Sequence, residues 1–196
     1  MFIFTTLICA REKSLSLLVG VDPCLGNLST KIKMGDEKHK INYNAGFGVL
    51  FDIEKQLNGA VSLSEFRYGK WKCDECKPYD GTSLFPIPAT CDDVNSFSFM
   101  QYGGKTIFPK KRVQIPLYIG IGLDYLRGAP YHNLFFDFGA KARIKFYITS
   151  KFGLFAGADY TFGYGSSSRD LPEKSSKSFN LYTRKLNVDF GFTVNI

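Results

Sequence analysis

Four cysteines and a histidine with serines further along are the residues of this 196-residue chain whose types could do chemistry. Setting Cys9 aside, the cysteines are Cys24, Cys73, Cys76 and Cys91. In an oxidising, exported setting they would form disulfides, with three possible pairings that spacing does not separate. The same four thiolates could instead hold zinc, an arrangement commoner in reducing compartments. A thioredoxin-like role for Cys73-x-x-Cys76 lacks a helix to carry it. His132, beside Tyr131 and Asn133, could meet a hydroxyl among Ser166 to Ser168. No Gly-x-Ser-x-Gly or His-x-Ser pattern accompanies it. The other histidine, His39, sits at a loop-to-strand boundary. The expectation is therefore no catalytic residue, no cofactor and no metal.

What would position these groups is a set of strands. The chain is 44% hydrophobic and 16% aromatic, with 19 Gly, a balance that favours strands over helices and excludes a disordered chain. No run of about 18 apolar residues occurs, so no transmembrane helix is expected. A net charge of +7 admits nucleic acid or an anionic membrane surface as partner. No nucleic-acid-binding module is recognisable. Residues 1–10 (MFIFTTLICA) are apolar, and charge begins at Arg11, Glu12 and Lys13. They read as the end of a secretory signal cut after Ala10, leaving 11–196 as one domain. An ordinary N-terminal strand is the alternative.

Strict alternation marks strands with two unlike faces. Residues 41–53 set Ile41, Tyr43, Ala45, Phe47, Val49, Phe51 and Ile53 against Asn42, Asn44, Gly46, Gly48, Leu50 and Asp52. The pattern returns at 113–125, 136–148 and 186–196, and less regularly at 15–21, 60–71, 96–108 and 152–164. In 60–71 the parity switches from Val61 and Leu63 to Phe66 and Tyr68, which suggests a bulge near Ser64 and Glu65. Eight strands result. The links between them alternate, short ones after the second, fourth and sixth strands and longer polar ones at 22–39, 72–94, 127–133 and 165–178. That is the plan of an all-β, eight-stranded antiparallel up-and-down barrel.

Parity alone does not say which face looks out. An apolar interior would make a soluble, lipocalin-like carrier of a greasy ligand. Three features favour the opposite orientation, a transmembrane barrel. The apolar runs are long enough to cross a bilayer when tilted. Aromatics, including Tyr43, Tyr125, Phe136, Phe138, Tyr160, Phe162 and Tyr164, gather near strand ends, where interfacial girdles belong. The other face concentrates Gly and charges of both signs, as a cramped interior requires. Asp137, Lys141, Arg143, Lys145, Asp159 and Asp189 are then candidates for an interior charge network, with an anion-conducting lining as the alternative. On this reading Ile119→Arg should be costly and Gly120→Ser mild.

The stretch VQIPLYIGIGL (113–123) is similar to a strand of the small porin-like, PorT-type outer-membrane barrels of Bacteroidota. The C-terminal LNVDFGFTVNI resembles the terminal strand signal read by the outer-membrane barrel assembly machinery, with Ile196 in place of the usual Phe. The plan as a whole resembles the OmpA/OmpX-type eight-stranded barrel. The resemblance implies a bacterial outer-membrane location, with long loops extracellular and termini periplasmic. It brings no catalytic residues with it. Its implied partners are outer-membrane lipid and the assembly machinery. Lys31, Lys33, Lys38 and Lys40 would form either a solvated rim or a contact for lipopolysaccharide phosphates. The expected role is structural or surface-interacting through the loops. A narrow channel, a lipid-modifying enzyme and a soluble carrier follow as alternatives.

Overall fold

Extended strands must satisfy their backbone groups through neighbours on both sides, and a sheet can do this throughout only by closing on itself. The computed structural model describes residues 13–22, 27–34, 37–78, 93–109, 112–128, 131–169 and 179–196, with only the backbone at residues 13, 27–34, 37–41, 44–45, 74–78, 131–132, 166–169 and 179–181. Nine strands form one sheet: β1 (Lys13–Asp22), β2 (Asn27–Met34), β3 (Glu37–Leu57), β4 (Ala60–Pro78), β5 (Val94–Ile107), β6 (Val113–Gly128), β7 (Tyr131–Tyr147), β8 (Phe152–Arg169) and β9 (Phe179–Asn195). Both β1 and β2 run antiparallel to β3, from Lys13↔Leu57 to Asp22↔Gly48 and from Asn27↔Asn44 to Met34↔Glu37. They are successive parts of one stave, so the staves number eight. From β3 to β9 each strand pairs with the next, and β9 returns to β1 and β2. The Ile196 amide donates to the Leu15 carbonyl at 2.8 Å across this seam. The result is a closed, eight-stranded antiparallel barrel, with no helix among the described residues.

One rim, the lower, carries the connections β3–β4, β5–β6 and β7–β8. The tightest is Asn58-Gly59, where φ values of 51° and 83° at the two residues suit a two-residue hairpin that follows the twist of its strands. At the upper rim the expectation of four long loops needs correction. Only residues 35–36 separate β2 from β3, and only 129–130 separate β6 from β7. Much of 22–39 and 127–133 is strand, because hairpins that project past the barrel can be polar on both faces and look like loop. Residues 79–92 and 170–178 lie outside the described set.

The faces fall as charge and glycine content suggest: apolar outside, polar within. Ile119 is 74% exposed, Phe138 54% and Phe192 55%, while Asp52, Asp124 and Asp189 are wholly buried. Two details of parity differ. The alternation over 41–53 is broken by register shifts at Asn42/Tyr43 and Asn44/Gly46, so Tyr43 is buried rather than part of an outer girdle. No bulge occurs near Ser64 and Glu65, where pairing with both neighbours is continuous. The faces themselves change polarity there. Val61 and Leu63 point inward into an apolar cluster with Met100, Tyr102 and Tyr118, and Ser62 and Ser64 point outward.

Gly120 lies against that cluster. A Cβ there would meet the Gln101 carbonyl oxygen at 2.5 Å and the Tyr102 ring at 2.5 Å, so the mildness expected of Gly120→Ser does not hold. The substitution should destabilise the refolded barrel by about 1–3 kcal/mol in denaturant titration, the usual cost of overpacking.

Candidate functional site

Eight closed strands leave an interior that side chains nearly fill, and here most of the filling is ionic. Among the described residues the buried charges are eight carboxylates, Asp22, Asp52, Glu54, Glu65, Asp124, Asp137, Asp159 and Asp189, and five cations, Arg67, Lys141, Arg143, Lys145 and Lys185. Alternation places them. Lys141, Arg143 and Lys145 are successive inward positions of β7, and Glu65 and Arg67 of β4.

At the centre three cations share three carboxylates. Arg67 meets Asp159 at 2.7 Å, Glu65 at 3.1 Å, Asp189 at 3.1 Å and Asp22 at 3.1 Å. Lys141 meets Glu65 at 2.5 Å and Asp159 at 3.1 Å, and also pairs with Asp189. Arg143 meets Asp52 at 2.5 Å, Glu65 at 3.1 Å and Asp189 at 3.2 Å, and its guanidinium carbon lies 4.7 Å from the centre of the Phe155 ring. Asn187 donates to Asp159 at 2.7 Å. Toward the lower rim Lys145 pairs with Glu54, which also accepts the Tyr118 hydroxyl at 2.6 Å. Toward the upper rim Lys185 pairs with Asp124, Ser96 donates to Asp124 at 2.7 Å, and Asp137 lies 3.9 Å from Lys185.

All six residues named from sequence point inward, and Lys141, Arg143, Asp159 and Asp189 meet in the central cluster. Lys145 and Asp137 belong to the flanking groups. Asp22, Glu54, Glu65, Arg67 and Lys185 were not singled out. Uninterrupted parity through β4 would have found Glu65 and Arg67, where the supposed bulge hid them.

Apolar groups close the interior on both sides of this cluster. The Val61–Tyr118 cluster sits toward the lower rim, and Trp71, Leu126 and Phe135 are buried toward the upper. Between them a void of ≈ 10 Å³ is lined in part by Glu65, Arg67, Tyr102, Asp137 and Asp159. That is room for about one water. Among the described residues the arrangement at this level can hold fixed charge and about one water.

The other sequence candidates within the described residues lie at the upper rim. Backbone register sets His132 opposite Ser168 on one side and Arg127 on the other; the side chains of His132 and Ser166 to Ser168 are outside the described set. Cys73 is half-buried on β4, opposite Tyr43, and is engaged with a partner. Cys76 is opposite Ile41 by backbone only, and Cys24 and Cys91 fall outside the described residues. Lys31 pairs in register with Lys40, and Lys33 with Lys38, so these four positions share one face of the β2–β3 hairpin.

No family model matches the sequence, and no curated protein does. Solved structures share the fold. The outer membrane protein OprG from Pseudomonas aeruginosa is similar at a TM-score of 0.68 and 8% identity, over 95% of this chain and 97% of that one. The outer membrane protease OmpT from Escherichia coli is similar at 0.53 and 7%, over 93% and 97%. At such identities the likeness is one of fold.

The charge network makes a directional prediction. Removing one partner of a buried pair costs about 3–5 kcal/mol, whereas replacing both by apolar groups is often neutral. Arg143→Met should therefore destabilise strongly, and Arg143→Met with Asp52→Leu should recover at least half of the loss in denaturant titration. Purely additive effects would show that the two side chains are not coupled.

Proposed function

We propose that the chain is an integral outer-membrane β-barrel with a sealed interior, acting as a structural or surface-interaction protein through its upper rim. The observation that carries this is the inverted distribution of polarity. Phe47, Phe97, Ile119, Phe138, Phe190 and Phe192 stand at half exposure or more, while charges fill the centre. A surface of that kind is stable where its surroundings are hydrocarbon. A soluble carrier needs the reverse.

In this reading the upper rim is extracellular and the termini are periplasmic. The lysine face of the β2–β3 hairpin meets lipopolysaccharide phosphates or another anionic surface. Disulfides among Cys24, Cys73, Cys76 and Cys91 staple the same rim. Residues 1–10 serve as export signal, and β9 carries the signal for barrel assembly. The external partner is a surface molecule that the rim elements reach. A protease shares the fold, so the fold itself does not decide catalysis; the non-enzymatic reading rests on the lack of a nucleophile motif around His132. Against the channel alternative stand the paired cations of the interior and the water-sized void beside them. Among the described residues, eight buried carboxylates against five cations also make a poor lining for anions.

Cell fractionation with protease shaving tests the proposal. The chain should enter the outer-membrane fraction, migrate differently on gels before and after heating, and lose only upper-rim segments to external protease. Ile119→Arg should cost about 2–4 kcal/mol if that position faces the bilayer midplane. In planar bilayers the folded protein should show no steady conductance; a stable open level would favour the channel.

A further inference from the structure

The outer wall is not apolar all the way round. On β6 the outward positions from Val113 to Tyr125 are apolar without a break. On β4 the outward apolar side chains above Ala60 are Phe66 and Tyr68, about 7 Å of strand. On β5 they are Phe97 and Phe99 above and Ile107 at the lower end, and between them stand Gln101, Gly103 and Lys105. A bilayer-spanning band is about 25 Å tall. The lower half of the β4–β5 wall therefore presents polar groups at a depth where its neighbours present hydrocarbon.

Those groups are organised. Ser64 donates to the Gln101 amide oxygen at 2.7 Å, and the Gln101 amide nitrogen donates to Ser62 at 3.1 Å. This leaves one N–H of Gln101 and the hydroxyl hydrogen of Ser62 to donate elsewhere. Lys55 lies in register beside Ser62, Ser62 beside Gly103, and Lys105 beside Ala60. Both lysines are exposed and stand on either side of the serines. The next position in the same row is Ile119, and beyond it Ala140 and Tyr160. Here an apolar groove of ≈ 560 Å³ runs over the small residues Gly120, Gly139 and Ala140, with Gln101 at its edge. Gly103 joins the two parts: a Cβ there would meet nothing within 4 Å, so the passage from polar notch to groove is open.

A cationic, donor-rich notch continuous with an apolar groove matches an amphiphile with an anionic head. We infer that this face is a binding site for an anionic glycerophospholipid, its phosphate held by Lys55, Lys105, Ser62 and Gln101 and an acyl chain lying in the groove beside Ile119. The site rests on the membrane reading above and gives it a specific lipid at the lower-rim leaflet. A second copy of the chain fits less well, because a two-fold contact here would bring Lys55 and Lys105 against their own copies.

Native mass spectrometry of the folded barrel in detergent tests this, with phosphatidylglycerol, phosphatidylcholine of the same chains, and glycerol phosphate as probes. The wild type should retain one phosphatidylglycerol, roughly thirtyfold over phosphatidylcholine, as two lysines near an anionic head would give. Lys55→Ala with Lys105→Ala should abolish that preference, and Gly103→Phe should reduce retention, with heat-modifiable migration unchanged in both. Equal retention of the two lipids, undiminished preference in the lysine variant, or glycerol phosphate binding as well as the lipid would overturn the site. So would a dimer that Gly103→Phe separates. A chain soluble without detergent would sink the membrane reading itself, whereas an inserted barrel indifferent to lipid charge would sink this site alone.

Discussion

Arg67, Lys141 and Arg143 share the carboxylates of Glu65, Asp159 and Asp189 at the barrel's centre, and the inverted wall depends on that sharing. Charges removed from water are costly unless each finds several partners. Here the partners come from β4, β7, β8 and β9, strands that only a closed barrel brings together. Replacing such a network by apolar groups is often neutral for net stability. Side chains alternate with a period of two, so a slip of one residue in any of these strands would turn its charges outward. Pairing at the centre thus sets the register of the wall around it.

Much of this was legible in the sequence, because both determinants are local. On β6 the alternation from Val113 to Tyr125 runs uninterrupted, and Gly120 and Gly122 opposite the apolar row point to a crowded inner face. What was not legible is non-local. The shifts in β3 at residues 42–46 arise from its pairing with β4, and within the strand alone Tyr43 looks like one more outward aromatic. In β4 the error came from assuming one polarity for each face along the whole strand. The lower end of the interior is filled by Val61, Leu63 and Tyr102 rather than by charges, so a change of contents looked like a change of parity. The turn at Asn58-Gly59 falls in the short link read after the second strand. Gly120 carried no readable sign of the Tyr102 ring that packs over it.

The same logic separates fold from role. A barrel can be recognised from its wall, since the wall must satisfy the bilayer or the solvent whatever the protein does. The role belongs to what departs from that requirement. Two such departures stand out: the lysine positions facing each other across the β2–β3 hairpin, and the polar notch cut into the outer belt on β4 and β5. The barrel's closure does not need either of them.

The facing of the wall can be measured directly by fluorescence quenching with phospholipids brominated on their acyl chains. Trp71, the only tryptophan, is 2% exposed and points inward, whereas Ile119 points outward. Reconstituted wild-type protein should be quenched weakly, and the Ile119→Trp, Trp71→Phe variant strongly. Strong quenching of Trp71 with little at position 119 would mean that the two faces are the other way round.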